Sequence, residues 1–438
     1  MEIKILCTKL IKPFLPTPPH LQHYNLSFFD QISEKEHVSM VFFFHNYNNI
    51  DMDERLEQSL SKILTHVYPA GGRYNEKDKY CSILCVDQGV FYTKAKTNGT
   101  LDNFLNKARN DLGHAGLFSP HVNKNIDETN FMVSPIVTIQ VTKFECAGVA
   151  ISISTSHPAM DGFSDFQFIS EWAKVCRIGT PIDKINFLSF NMGDIFPTRD
   201  ITGIFKSTPI PIIQQDIVVK RIVIHEDVMS RLRKKCTFTF QPSRVEIITA
   251  ILWRAFIRAT AIINGYLRPS LLDFPMNMRS KITFLPQVKN SYGNFMIGVP
   301  VKFIPGETEM ELHHFIILIR NAVNKIVASC KKANSPDEIV STLVDSYNES
   351  FRSPEWGGND EVDKVMCTSI CKFPVHDSDF GLGKPNLIFF GMKDTQMFWL
   401  YDIGPEIVVQ VDLKERCMQL FDRDDDIKDL IFIRDAKL

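Results

Sequence analysis

The sequence lacks the short motifs that mark several large enzyme classes. It has no Gly-x-Ser-x-Gly around a nucleophilic serine, no phosphate-binding P-loop, no Gly-x-Gly-x-x-Gly after a strand and no His-Glu-x-x-His. Each motif serves one chemistry, so these absences argue against α/β-type serine hydrolases, P-loop nucleotidases, dinucleotide-dependent oxidoreductases and zinc peptidases.

Long apolar runs and an excess of basic charge are also missing. No stretch of about 18 uninterrupted apolar residues occurs, so no membrane span is expected. The 49 basic and 51 acidic residues leave a formal net charge of -2, and the lysines and arginines are dispersed. A nucleic-acid partner is therefore not expected.

Compact cysteine clusters are absent as well. The ten cysteines are scattered, and pairs such as Cys81/Cys85 and Cys367/Cys371 suit neither a zinc knuckle nor a disulfide framework. Residues 1–19 carry lysines and prolines rather than the apolar core of a signal peptide. These features predict free thiols, no metal site and a cytoplasmic location. The final Ala436-Lys437-Leu438 resembles a peroxisomal address and leaves that compartment as the alternative.

What is present is a chain long enough for two domains. The 438 residues are 44% apolar, which suits a large core. Strand-like and helix-like patterns alternate in both halves, and regular patterns fade where Pro197, Pro209 and Pro211 cluster. We therefore predict an α/β protein with an N-terminal lobe at 1–195, a crossover linker at 196–216 and a C-terminal lobe at 217–438.

Periodicity predicts individual elements. Apolar residues at helical spacing predict a helix over 53–67, and Ser243 with Glu246 forms a capping box at the head of a long helix. Alternating patterns predict hairpins at 81–96, around Asp87-Gln88-Gly89, and at 135–154. A last helix is expected at 414–429, with Asp425, Asp426 and Asp429 on a solvated face.

The stretch from Ser154 to Gly162 is the strongest candidate for chemistry. It follows the alternating residues Val149, Ile151 and Ile153, so His157 lies at a strand end with Asp161 four residues further on. Such a pair can supply a general base and a carboxylate that fixes the loop. An isolated His-x-x-x-Asp is also common in surface turns, and the residues of this stretch alone leave both readings open.

A second loop decides between these readings. Residues Asp379 to Pro385 read Asp-Phe-Gly-Leu-Gly-Lys-Pro and follow His157 by about 220 residues. The ordered pair resembles the HxxxD and DFGWG motifs of the BAHD acyltransferases, plant enzymes that transfer an acyl group from coenzyme A. The resemblance extends along the chain through the segments Tyr68-Pro69-Ala70-Gly71-Gly72-Arg73, Asn277-Met278-Arg279 and Tyr292-Gly293-Asn294.

The resemblance implies a fold, a chemistry and roles for matched residues. The fold would be two chloramphenicol-acetyltransferase-like lobes, with mixed sheets, packed helices and an active-site channel between the lobes. His157 would be the general base, and Asp161 a structural residue that pairs with Arg279. A loop near the cofactor would be shaped by Asp379, Gly381 and Gly383. Contacts to coenzyme A would come from Ser243, Arg244, Gly293 and Asn294.

Finer features suggest a subgroup and two departures from the family pattern. Leu10-Ile11-Lys12-Pro13 and Phe144-Glu145-Cys146-Ala147-Gly148 look most like the branch that contains vinorine synthase. That implies a monomer without a permanent cofactor, which acetylates a hydroxyl of an alkaloid or another specialised metabolite from acetyl-CoA. Leu382 stands where the family has tryptophan, and Pro158 where lysine is frequent. A silent binding protein and an enzyme with another acyl-CoA therefore remain alternatives. A Ser/His/Asp hydrolase fails for want of a serine elbow, although Ser154 and Ser156 flank His157.

Overall fold

A computed structural model describes residues 1–431 except 46, 48–50, 80, 109–111, 120–133, 180–183, 186–187, 207–215, 236–239, 351 and 393–394. The chain forms two compact units. The first unit comprises Met1–Arg199, Leu285–Phe295 and Phe373–Lys393. The second comprises Asp200–Phe284, Met296–Lys372 and Asp394–Leu438.

Strands supply the framework of both units. In chain order, β1 to β15 are Ile3–Ile11, His23–Asn25, His37–Phe44, Arg73–Tyr74, Ser82–Leu84, Val90–Thr97, Val137–Lys143, Val149–Ser156, Ile217–Ile224, Ser270–Asn277, Met296–Phe303, Asp363–Ser369, Leu387–Gly391, Met397–Ile403 and Glu406–Lys414. The α-helices α1 to α11 are Phe28–Gln31, Met52–His66, Leu101–Ala108, Gly162–Ile178, Met192–Ile195, Glu226–Lys235, Arg244–Asn264, Leu312–Lys332, Pro336–Glu349, Glu415–Phe421 and Asp425–Ile431.

The first unit is built on a six-stranded mixed sheet in the order β1-β6-β7-β8-β3-β13. β6 and β7 are parallel, and the other neighbours are antiparallel. All eight residues of β8 are buried, because this strand lies inside the sheet between β7 and β3. Helix α4 packs against α2, where the Trp172 indole donates to the Leu56 carbonyl at 3.2 Å. A smaller sheet pairs β5 with β2 and β4.

The second unit has its own six-stranded mixed sheet, in the order β11-β10-β12-β14-β15-β9. β12 is parallel to both β10 and β14, and the other pairs are antiparallel. Helix α7 supplies a run of buried residues from Ile247 to Ile257. In the described part of the chain, no helix is long and apolar enough to cross a membrane.

Several predicted elements are confirmed. The mixed α/β class is correct, and the helix predicted at 53–67 is α2 at Met52–His66. The hairpin at 135–154 is the antiparallel pair β7 and β8. Ser243 and Glu246 form the predicted capping box at the head of α7, with both reciprocal hydrogen bonds present.

The predicted hairpin at 81–96 is wrong. β5 pairs with β2 and β4, whereas β6 pairs with β1 and β7. The chain turns a corner between two sheets at Asp87 and Gly89, which have φ angles of 61° and 83°. A Cβ on Gly89 would lie 2.6 Å from the Ile11 carbonyl oxygen, so the corner passes too close to β1 for a side chain.

The predicted C-terminal helix is also wrong, because it is broken into α10 and α11. Asp424 lies at the break, where its carboxylate accepts two hydrogen bonds from Arg258 at 2.6 and 2.7 Å. Asp426 is not on a solvated face either, since it forms ion pairs with Arg254 and Arg258. Asp425 and Asp429 are exposed, as predicted.

The division of the chain differs from the predicted lobes in one important way. Residues 285–295 and 373–393 belong to the first unit, whereas the prediction placed both in the C-terminal lobe. The cause is strand pairing: β13 completes the first sheet by pairing antiparallel with β3, from Leu387 opposite Phe43 to Gly391 opposite Ser39. The Asp379 loop therefore lies in the same unit as His157.

Candidate active site

His157 follows β8 directly, at the end of the sheet where the chain turns into α4. Its backbone N–H donates to the Glu36 carbonyl at 2.9 Å, beside the pairing of β8 with β3. The imidazole is half-buried, and its Nδ1 is enclosed with no hydrogen-bond partner among the described residues. The sheet thus fixes the backbone of His157.

The two serines before His157 are engaged elsewhere. Ser154 accepts a hydrogen bond from Ser39 at 3.0 Å, and the hydroxyls of Ser156 and Tyr74 are 2.5 Å apart. Both serines are fully buried. This arrangement disfavours a serine nucleophile activated by His157, because neither hydroxyl is hydrogen-bonded to the imidazole.

Asp161 caps helix α4 and binds a distant loop at the same time. Its Oδ1 accepts from the Ser164 backbone N–H at 3.0 Å and from the Ser164 hydroxyl at 3.1 Å. Its Oδ2 accepts from the Phe295 N–H at 3.0 Å. A carboxylate is well suited to this position, since the N-terminus of a helix presents unpaired N–H groups and a positive partial charge.

The loop at 293–295 approaches α4 closely. The Ser164 hydroxyl accepts from the Gly293 N–H at 3.1 Å, and its single proton faces both the Asp161 carboxylate and the Gly293 carbonyl, at 3.1 and 3.0 Å. Gly293 has a φ of 101°, and a Cβ there would lie 3.1 Å from both carboxylate oxygens of Asp30. Glycine is therefore required by both the backbone angle and the close approach.

Asn294 connects this loop to His157. Its side-chain amide donates to the His157 carbonyl at 2.7 Å and to Asp30 at 2.9 Å, while its backbone N–H donates to the same Asp30 oxygen at 2.6 Å. Burial raises the pKa of the Asp30 carboxyl to about 6, against the opposing effect of hydrogen bonds from Asn294 and Ser27. The sequence reasoning missed Asp30. The available signal, a Ser-x-x-Asp pattern at Ser27, is too common to indicate a site.

Asp379 organises a loop at the opposite end of α4. Its Oδ1 accepts from the N–H groups of Gly381 at 2.8 Å and Gly383 at 2.9 Å, and its Oδ2 lies 3.3 Å from the Arg177 guanidinium. Both glycines have positive φ angles. Leu382, between them, is only 4% exposed, so leucine is buried where the family has tryptophan.

The other predicted site residues lie in the second unit. Ser243 is exposed at the N-terminus of α7, and Arg244 donates to Asp402 at 3.0 Å. Arg279 is 4% exposed and donates to Asn277 from its backbone and its guanidinium. Among the described residues, no three His, Cys, Asp or Glu side chains are grouped so as to hold a metal ion.

Comparison with known proteins gives the class of protein that this fold and site define. The sequence model of the Transferase family matches residues 1–427. The chain belongs to this family, the BAHD acyltransferases, and is an acyl-CoA-dependent acyltransferase, which confirms the predicted family and enzyme class.

Individual relatives match over nearly their whole length. The chain is 31% identical to an acetyl-CoA-benzylalcohol acetyltransferase of Clarkia breweri, over 96% of this chain and 98% of that protein. It is 29% identical to a pelargonidin 3-O-(6-caffeoylglucoside) 5-O-(6-O-malonylglucoside) 4'''-malonyltransferase of Salvia splendens, over 98% and 99%. The crystal structure of vinorine synthase is similar with a TM-score of 0.78 and 25% identity, over 96% of each chain.

Proposed function

We propose that this chain is an O-acyltransferase that transfers an acetyl group from acetyl-CoA to a hydroxyl of an alkaloid or another specialised metabolite. The observation that carries the proposal is the His157 turn: a half-buried imidazole on a fixed backbone, with both neighbouring serines engaged elsewhere. Such a residue suits a general base better than the partner of a nucleophile.

The mechanism needs no acyl-enzyme. His157 takes the proton of the acceptor hydroxyl while that oxygen attacks the thioester carbonyl. Collapse of the tetrahedral intermediate breaks the carbon–sulfur bond, forms the ester and returns the proton to the coenzyme A thiolate. Nε2 is the nitrogen that we assign to this transfer, because Nδ1 is enclosed. A positioned base of this kind contributes roughly 10²- to 10⁴-fold in rate.

Supporting roles follow from the contacts. Asp161 holds the turn through the head of α4 and the 293–295 loop, and we retain a structural role for Arg279. We assign Ser243 and Arg244 to the phosphates of coenzyme A, since Ser243 is exposed at the start of a 21-residue helix and such ends favour anions. Gly293 and Asn294 would offer less to the cofactor, because both are buried.

The proposed donor and acceptor class rest on the activities for which relatives are named. The Clarkia breweri protein is named for acetyl-CoA and benzyl alcohol, which favours acetyl transfer to a hydroxyl. The Salvia splendens protein is named as a malonyltransferase, so another acyl-CoA is the alternative donor. A silent binding protein is the alternative outside catalysis, on the grounds of Leu382 and Pro158. We propose a cytoplasmic monomer; the terminal Ala436-Lys437-Leu438, which motivated the peroxisomal alternative, lies outside the described residues.

An acceptor screen tests this function. Purified protein is incubated with acetyl-, malonyl- and benzoyl-CoA and with benzyl alcohol or hydroxylated alkaloids, and free thiol and ester product are measured. We expect acceptor-dependent thiol release, fastest with acetyl-CoA, that His157→Ala lowers at least 100-fold. Release that His157→Ala leaves unchanged would refute the base role, and a trapped acetyl-protein would favour the hydrolase-like alternative.

A further inference from the structure

We propose that Asn294, itself held by Asp30, is a positioning residue that sets the orientation of His157 for proton transfer. This inference deepens the proposed function and rests on His157 being the base. The motivating observation is that one side-chain amide joins the His157 backbone to a fully buried carboxylate. Asn294 does not touch the reacting atoms in this argument; it acts through the peptide that carries the imidazole.

The orientation of the Asn294 amide is fixed by its partners. The His157 carbonyl and the Asp30 carboxylate are both acceptors, so the side-chain nitrogen must face both of them, at 2.7 and 2.9 Å. A flipped amide would place an oxygen against two oxygens. Both amide hydrogens are therefore committed, and the side chain is only 1% exposed.

Asp30 makes this arrangement rigid. Its two oxygens accept four hydrogen bonds, from the N–H and hydroxyl of Ser27 at 2.8 and 2.7 Å and from the N–H and side chain of Asn294 at 2.6 and 2.9 Å. Only a carboxylate offers acceptors on both oxygens, since an amide would turn one of them into a donor facing donors. Hydrogen bonds to a charged acceptor are also the stronger ones.

His157 is consequently held on both sides of its Cα atom. Its N–H is bound to Glu36 in the sheet, and its carbonyl is bound to Asn294. The side-chain torsions are then the main freedom left to the imidazole. Displacement of a reacting group by about 1 Å can cost on the order of 100-fold in rate, so loosening the carbonyl is expected to lower turnover.

The test compares two buried amide–carboxylate pairs. The matched control lies in β15, where Gln410 donates to Asp412 at 3.0 and 3.2 Å and burial likewise raises the pKa of the Asp412 carboxyl, to about 7. Asn294→Ala and Gln410→Ala are assayed with the acceptor found in the screen. We expect kcat to fall 10- to 100-fold in Asn294→Ala with KM for acetyl-CoA within about twofold, and less than threefold loss of kcat in Gln410→Ala.

A spectroscopic readout separates positioning from stability and does not require turnover. The protein contains 12 histidines, and the long-range ¹H–¹⁵N signals of the His157 ring are identified by their loss in His157→Ala. We expect Asn294→Ala to shift the His157 signals selectively, and Gln410→Ala to leave them unchanged. Unchanged His157 signals and kcat in a folded Asn294→Ala protein would overturn the inference. Failure of the base role in the screen would instead show as turnover insensitive to His157→Ala.

An exchanged pair covers the case in which Asn294→Ala does not fold. Asp30→Asn with Asn294→Asp restores an amide–carboxylate bond, but the new carboxylate cannot donate to the His157 carbonyl. We expect kcat to stay at least tenfold low at temperatures where the protein is folded, whether or not Tm recovers relative to either single variant, because the donor to the His157 carbonyl is missing. Recovery of kcat together with Tm would mean that the pair is only structural and would contradict the inference.

Discussion

Each end of helix α4 is held by an aspartate side chain, but the two aspartates bind different segments of the chain. At the N-terminus, Asp161 binds the helix and the distant loop at 293–295. At the C-terminus, Asp379 binds its own loop and Arg177 of the helix. The 17 residues between them span about 25 Å, so the Asp379 loop lies far from His157 along the helix axis.

Both motif aspartates contact the backbone of a loop, and we propose that neither takes part in the chemistry. Both carboxylates accept hydrogen bonds from backbone and side-chain donors, and both hold loop segments in place through them. Their importance for catalysis should therefore depend on distance from His157 and on burial. Asp161 is 4% exposed, whereas the Asp379 side chain is 20% exposed.

The largest effect is expected for Asp161→Asn. The amide nitrogen would face either the Phe295 or the Ser164 N–H, leaving buried donors unpaired, so we expect a loss of roughly 2–4 kcal/mol in stability. Soluble yield and kcat should fall together, as measured by urea unfolding and thiol release. A well-folded and fully active variant would refute the role of Asp161 in holding the turn.

A smaller difference in kcat is expected between alanine variants of two glycines that have positive φ angles. Gly293→Ala meets the Asp30 carboxylate at 3.1 Å, whereas Gly383→Ala meets nothing within 4 Å. Both variants carry a backbone cost of about 1 kcal/mol, but only Gly293→Ala should also lower kcat, by about tenfold or more. Equal kcat values in the two variants would contradict our inference that the N-terminal end of α4 matters more for turnover than the C-terminal end.

Asp379→Asn should cost less than Asp161→Asn. The loop loses a charged acceptor for two N–H groups and the contact to Arg177, and partial exposure allows water to replace them. We expect a loss of about 1–2 kcal/mol in stability and less than a threefold change in kcat at temperatures where the variant is folded. Loss of kcat without loss of stability would place the Asp379 loop nearer to the chemistry than we infer.

The pH dependence of stability tests the N-terminal end of α4 separately, because Asp30 lies near that end of the helix and not near the other. Its pKa is raised by burial from 3.8 to about 6, so the folded state binds the proton more tightly than the unfolded state. The associated stability is fully present below about pH 4 and is lost as pH rises through about 6, by on the order of 3 kcal/mol at most. In Asp30→Asn, Tm should decline less between pH 4.5 and 7.5; an unchanged decline would contradict this assignment.

The sequence predicted what local patterns and motifs encode. Alternation in β8 located His157 at a strand end, and the capping box of Ser243 located the head of α7. The resemblance supplied the family. The structural role of Asp161 stays a prediction, and the contact that the structure adds to it is the backbone N–H of Phe295.

The features that the sequence did not predict depend on contacts between segments that are far apart in the chain. Asp30 sits in a four-residue helix, and its partner Asn294 is 264 residues away. The apolar sequence pattern of β13 is similar to that of neighbouring strands in the chain, and it does not indicate that β13 pairs with β3. Long-range pairing of this kind leaves no periodic signal, so the prediction placed the Asp379 loop in the C-terminal lobe, whereas it lies in the first unit.

The composite make-up of the first unit has a consequence for biosynthesis. A nascent chain that has emerged only as far as Arg199 contains His157 and Asp161, yet it lacks the 285–295 segment and β13. β3 would then present an open, highly apolar edge, a form prone to mispairing. The contacts that hold His157 can form only after residue 295 is made, and the sheet can be closed only after residue 391. Early termination, or expression of the N-terminal part alone, should therefore yield aggregation instead of a partially active enzyme.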